Sequence, residues 1–221
     1  LSDLLNNLKL IRQNFGMVQV NIGEVIPLDR WLQANESDHG EHINLLAEHI
    51  MSSINEAATV NSVNLAATVL LSTNHQSLDK DTFKAQLTLY IKLIGDLFGK
   101  EKLTEDIKNA DSILERLEHL GLLKKDISEF GEVLYFDNFT AVLMTWYQNN
   151  AIHLFSLTSL ISILIVNRRV PISKTKLLKM IKIISPYLGK ELSIEFTDKS
   201  IENCFIFLET NHLIRTENDL I

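Results

Sequence analysis

A chain of 221 residues, 46% apolar and 22% charged, is too apolar for disorder and has too little glycine for collagen. It makes one large domain or two small ones and can bury roughly 70% of its unfolded surface. The single cysteine, Cys204, excludes a disulfide scaffold and cysteine-based zinc sites, and 21 basic residues against 28 acidic ones give a net charge of −7, which argues against nucleic acid as the principal partner.

The chain opens on Leu1-Ser2-Asp3, with no basic stretch ahead of an apolar one, so no signal peptide is visible. It stops at Asn218-Asp219-Leu220-Ile221 and reads as a piece of a longer protein. Val18 to Ile22 alternates apolar and polar residues, the period of a strand, and Gly23 and Pro27 close it. A short turn of helix is expected over Leu28 to Gln33, then a polar loop from Asn35 to Gly40. From Glu41 the period becomes 3.6. Ile43, Leu46, Ala47, Ile50, Met51 and Ile54 fall on one helix face. Val63 to Leu71 is nearly all apolar and predicts a buried helix. Asp79 is placed to cap the next, with Phe83, Leu87, Ile91, Ile94 and Phe98 on one side. Thr104 is expected to cap another, with Glu105 and Asp106 in its first turn, Ile107, Ala110, Leu114 and Leu117 on its buried face, and Gly121 beyond its end.

Two segments pair a helix with a hairpin, the second half of a winged-helix unit. Leu122 to Phe136 turns at Ser128-Glu129-Phe130-Gly131, and 213–221 turns at Thr216-Glu217-Asn218 after a helix capped by Asp198. From Asn138 to Asn167 there is no Asp, Glu, Lys or Arg. Within it, Ala151 to Val166 would span roughly 24 Å as a helix, short of a bilayer core of about 30 Å. It reads as a core helix or one lying at an interface.

Candidate chemistry is sparse. His39, Glu41, His42, Glu48 and His49 lie close in sequence, but His42 and His49 are seven residues apart, about 10 Å along a helix, too far for one zinc ion. No Gly-x-Ser-x-Gly elbow and no glycine-rich phosphate loop occurs. Cys204 sits in an apolar helical setting that raises a thiol pKa rather than activating it. The charge pattern is more informative. Arg168 to Lys190 holds seven basic residues and no acid, and Lys176, Lys179 and Lys182 group together opposite most of Leu177, Leu178, Met180, Ile181, Ile183 and Ile184. Such a basic amphipathic helix suits anionic headgroups; the alternatives are a core-packed helix with a solvated lysine face, and a nucleic-acid face, which the acidity elsewhere and the lack of aromatics among the lysines disfavour.

Three stretches carry a family resemblance. They are Asn14 to Leu28 (NFGMVQVNIGEVIPL), Val63 to Ser72 (VNLAATVLLS) with Leu87-Thr88-Leu89-Tyr90 after it, and Ala141 to Phe155 (AVLMTWYQNNAIHLF). The last is the most specific. Together they resemble the bacterial membrane-associated glycerol-3-phosphate 1-O-acyltransferases, from the end of the acyltransferase domain into the C-terminal region. Val25 and Gln148 depart from the family's usual proline and arginine. The family's catalytic His-x4-Asp is missing. Five residues after His39, His42, His49, His75, His119, His153 and His212 stand Asn44, Ala47, Ile54, Lys80, Lys124, Thr158 and Glu217.

The resemblance implies a mainly α chain. Residues 1–35 would end an α/β acyltransferase domain with its last strand, and 36–221 would form a helical C-terminal domain with wing-like hairpins near 122–136 and 213–221. It implies that the full protein takes acyl-CoA or acyl carrier protein and sn-glycerol 3-phosphate, works peripherally at the cytoplasmic face of the inner membrane, and needs no cofactor. This part is expected to hold no catalytic residue and no metal. Arg168, Arg169, Lys176, Lys179 and Lys182, beside Ala151 to Val166, are the expected contacts to an anionic membrane surface. The alternatives are a winged-helix module that docks protein, and a self-sufficient enzyme built on His75 and Asp79.

Overall fold

The computed structural model describes residues 19–35, 39–129, 131–168 and 170–221. Among them are nine α-helices and one three-stranded antiparallel sheet. Residues 19–22 are in neither helix nor strand, and Val20 and Ile22 are exposed. The expected strand is therefore absent over these residues, because alternation selects a strand only where an edge is available to pair; Val18 and the start of the first resembling stretch lie outside the described residues.

Helix α1 (Leu28–Ala34) follows, then α2 (His39–Ala57). Residues 36–38 of the expected loop lie outside the described residues. The predicted apolar face of α2 is present but not buried: Ile43, Ile50, Met51 and Ile54 are all exposed.

The core is organised around α3 (Ser62–Leu71), whose residues from Ser62 to Leu70 are all buried. Asn61 caps it, accepting from the Val63 and Asn64 N–H groups, and the Asn64 side chain reciprocates at the Asn61 N–H. The short strand β1 (Ser77–Asp79) leads into α4 (Lys80–Phe98), where Asp79 caps by accepting from the Thr82 N–H at 2.9 Å, as expected. Phe83, Leu87 and Ile94 of α4 are fully buried.

The next helix begins later than expected. Helix α5 runs Ala110–His119 and its cap is Asn109, which accepts from the Ser112 N–H. Thr104 is committed elsewhere: its N–H donates to the Val60 carbonyl at 3.0 Å, and its hydroxyl, 3.2 Å from that carbonyl, donates to the Asp106 carboxylate. Asp106 accepts from the Ser62 N–H, so the acid expected in one helix's first turn serves the N-terminus of α3. Gly121 takes the left-handed conformation (φ 68°) past the end of α5.

The expected hairpin forms as β2 (Lys124–Ser128) and β3 (Gly131–Tyr135), with Phe130 outside the described residues. β1 adds to β3 in the register Leu78↔Leu134, giving the order β1-β3-β2. Leu134 faces the core at 0% exposure, while Glu132 accepts from Lys80 at 2.7 Å and pairs with Lys125 at 3.4 Å.

Residues 138–166 form two helices, α6 (Asn138–Asn149) and α7 (Ile152–Val166), bent by 89°. No single helix among the described residues is long and apolar enough to cross a membrane. α6 lies on α3, where the Asn64 side chain donates to the Tyr147 carbonyl at 2.7 Å. His153 to Thr158 and Ile161 of α7 are buried, with Phe155 against Tyr90 of α4 at 5.1 Å between ring centroids.

The chain closes with α8 (Lys174–Leu192) and α9 (Asp198–Thr210). Thr197, not Asp198, caps α9. The second expected hairpin is not formed. Glu217 and Leu220 bridge across a tight turn, and Ile221 exchanges backbone hydrogen bonds with Ile172. The end of the chain thus finds its partner in the α7–α8 connection rather than in 213–215.

Candidate membrane-facing site

Helix α8 has two distinct sides. Ser173 caps it, and Leu177, Ile181, Ser185 and Gly189 are buried against the protein. Gly189 is a close-approach position: a Cβ there would lie 2.6 Å from the Ile194 carbonyl oxygen, which the returning chain brings over the helix end. At 100° per residue, Lys176, Lys179, Ile183, Tyr187 and Lys190 fall within an arc of about 80° on the other side. Ile183 and Tyr187 are 67% and 79% exposed. Lys176, Lys179 and Lys190 are exposed and make no ion pair among the described residues. The end of α7 extends this surface with exposed Ile163 and Val166, and Val170 follows in the connection.

The sequence-derived set is only partly assembled here. Lys176 and Lys179 stand on the stripe. Lys182 lies off it and pairs with Asp198 at 2.8 Å. Arg168 is half-buried and donates from Nη2 to the Met180 sulfur at 2.9 Å. Arg169 lies outside the described residues. Ala151 to Val166 contributes only its last turns, since its first part is core. Lys190, Ile183 and Tyr187 were missed; extending the same periodicity one more turn finds them.

A cavity of about 490 Å³ lies between α2, α4, α7 and α9, with Leu97, Phe98, Leu154, Leu157 and Phe196 among its walls. Five titratable side chains line it: Glu56, Lys102, His153, Glu195 and Cys204. His153 is buried, with its Nε2 3.2 Å from the Asn55 carbonyl oxygen. Burial holds its pKa below the ordinary imidazole value, against the pull of that hydrogen bond. The Cys204 thiol, 3.4 Å from the Thr158 hydroxyl, is pushed up by burial. Asn55 of α2 lines the same cavity. The Asn55 side chain also donates to the Leu192 carbonyl at 2.7 Å, tying α2 to the end of α8.

The burial of His153 has a pH signature. The unfolded chain takes the proton near the ordinary value of 6.5 and the folded chain only at lower pH. Stability is therefore complete above 6.5 and falls as pH drops through that value. Denaturation midpoints at about pH 7.5 and about pH 5.5 should differ more in the native sequence than in His153→Gln. Equal differences would show that His153 stays solvated.

His42 and His49 of α2 have neighbours of their own. The His42 Nε2 is 2.6 Å from the Asn35 carbonyl oxygen, and His49 stacks on Trp31 at 6.2 Å. The Asp79 carboxylate, the expected partner of His75, caps α4. Among the described residues no three His, Cys, Asp or Glu side chains are placed to hold a metal ion.

Comparison with known proteins gives a consistent result. A family model described as the glycerol-3-phosphate acyltransferase C-terminal region matches residues 1–220. The glycerol-3-phosphate acyltransferase of Pseudomonas paraeruginosa (strain PA7) is 34% identical over 236 residues, 98% of this chain and 28% of that protein. Those of Pseudomonas putida and Pseudomonas fluorescens are 31% and 30% identical over 99% of this chain and 28% of theirs. The chain thus spans little more than a quarter of the length of these relatives.

Proposed function

We propose that this chain, which belongs to the glycerol-3-phosphate acyltransferase C-terminal region family, is the non-catalytic part of such an enzyme and holds it on an anionic membrane surface. The whole enzyme would transfer an acyl group from acyl-CoA or acyl carrier protein to the 1-position of sn-glycerol 3-phosphate, peripherally, at the cytoplasmic face of the bacterial inner membrane. The absence of His-x4-Asp from the sequence supports the non-catalytic reading, since that pair would supply the general base and its orienting group.

The observation that carries the membrane reading is the Lys176, Lys179, Ile183, Tyr187, Lys190 stripe. Three unpaired lysines meet lipid phosphates, while Ile183 and the amphipathic ring of Tyr187 enter the boundary between headgroups and acyl chains. Around α3, β1, α4, α5, β2 and β3 the element order is that of a winged-helix unit. The exposed side of α5 carries Asp111, Glu115 and Glu118, which favours a protein or scaffold role for that unit over nucleic acid.

Flotation of the purified 221-residue chain tests this. Binding to vesicles containing phosphatidylglycerol, no binding to zwitterionic vesicles, and release by salt are expected. Equal binding to both vesicle types, or none to either, overturns the membrane role, and lysophosphatidate formation by the chain alone overturns the non-catalytic one.

A further inference from the structure

We propose that Phe139, Val142, Leu143 and Trp146 on α6, continued by Ile50 and Ile54 on α2, form the surface on which the remainder of the full-length acyltransferase packs. This rests on the reading of the chain as one part of that longer enzyme.

The four α6 residues follow the i, i+3, i+4, i+7 pattern of a buried helix face, yet they are 81%, 68%, 42% and 72% exposed. The opposite side of the same helix, at Thr140 and Met144, is already buried against this protein's own core. Helix α6 is therefore apolar on both sides but covered on only one. Scattered exposed apolar residues are ordinary; two aromatics and two aliphatics on one stripe are not.

The uncovered surface continues beyond α6. Its C-terminal end, at Asn149 and Asn150, borders a groove also lined by Ile50, Met51 and Ile54 of α2 and by Ile22 and Val25 of the preceding segment. Ile50 and Ile54 are 41% and 56% exposed.

Charge decides between a bilayer and a protein as the occupant. Asn138–Asn149 contains no charged residue, and α2 contains no lysine or arginine. Glu24, which is exposed, is the one charged side chain among the residues that line the groove. An anionic bilayer finds no lysine or arginine among these residues, whereas the lysines of α8 attract it. A polypeptide with apolar residues and a basic margin is the complementary partner. The relatives have polypeptide to fill the place in the same chain, since nearly three-quarters of their length lies outside the part matched here.

The test uses the full-length enzyme in vesicles with a photo-crosslinking amino acid, Trp146→p-benzoylphenylalanine. Phe139→p-benzoylphenylalanine is a second probe, because Phe139 is even more exposed. Both should cross-link within the same polypeptide, to peptides outside these 221 residues, equally in anionic and zwitterionic vesicles. Val142→Lys beside the probe should cut that yield about tenfold, since a buried unpaired lysine is costly. Adducts mainly to lipid or to a second copy, or none beyond the 221 residues, overturn the proposal. Flotation of the same samples separates the two readings: this cross-link without anionic binding upholds the docking surface and removes the membrane role, and binding without the cross-link does the reverse.

Discussion

Phe205→Ala is expected to lower the stability of the folded chain by about 3–5 kcal/mol. Phe205 sits on α9 at 1% exposure and is among the largest fully buried side chains. Its neighbours on the same face, Ile201, Cys204 and Leu208, are buried too, and α9 packs on both α4 and α7. Alanine would leave a void where three helices meet, and surrounding helices relax into such a void only in part. A second loss adds to it: the Lys174 ammonium lies 5.2 Å from the Phe205 ring centroid. For a chain of this size the loss corresponds to a fall in thermal midpoint of roughly 6–20 °C. Phe205→Leu, which keeps most of the volume, should lose less than about 1.5 kcal/mol. Phe139→Ala, at 81% exposure, is the matched control and should stay within about 0.5 kcal/mol. Thermal melts followed by circular dichroism distinguish these. A Phe205→Ala midpoint no lower than that of Phe139→Ala would mean that α9 is not anchored in the core.

Sequence pattern located nearly every helix because the signals it uses are local. An unbroken apolar run marks α3, and a side-chain cap marks the start of α4, where Asp79 accepts from Thr82. The hairpin of β2 and β3 was legible for the same reason, with Gly131 (φ 129°) supplying the turn backbone. What was not legible depended on distant partners. Thr104 has the chemistry of a cap, but Val60, 44 residues earlier, takes its N–H, and its hydroxyl lies between that carbonyl and Asp106. β1 is three residues long and exists because β3 offers an edge. The second wing was lost to the same competition, when Ile172 captured Ile221.

Burial was harder to read than helix existence. The apolar faces of α2 and α6 obey the same periodicity as that of α4, yet α4 has Phe83, Leu87 and Ile94 buried within these residues while Ile43, Ile54, Phe139 and Trp146 stay exposed. Periodicity reports that a face wants to be buried, not whether the covering element is in the same piece of chain. The basic site shows the reverse case. Counting lysines in sequence included Lys182, whose charge is shared with Asp198 across the turn to α9. It omitted Tyr187, because an exposed tyrosine on a helix carries no signal until its neighbours on the stripe are known.

That distinction gives the stripe its sharpest test. Replacing Lys176, Lys179 and Lys190 together by glutamine is expected to weaken binding to anionic vesicles by about two orders of magnitude. Each lysine near a charged headgroup layer contributes about 1 kcal/mol, so three contribute about 3 kcal/mol. The loss should shrink as salt rises, because the interaction is screened within a Debye length of about 10 Å at 0.1 M. Lys182→Gln removes the same formal charge from the same helix but from a group already paired 2.8 Å from Asp198 and off the exposed arc. It should change binding by less than about threefold. Ile183→Ser with Tyr187→Ser should weaken binding in a way that salt does not modulate, since it removes apolar area rather than charge. Vesicle flotation across a salt series separates the three variants. If Lys182→Gln weakened binding as much as Lys179→Gln, net charge alone would govern attraction, and the ordered stripe on α8 would have no part in it.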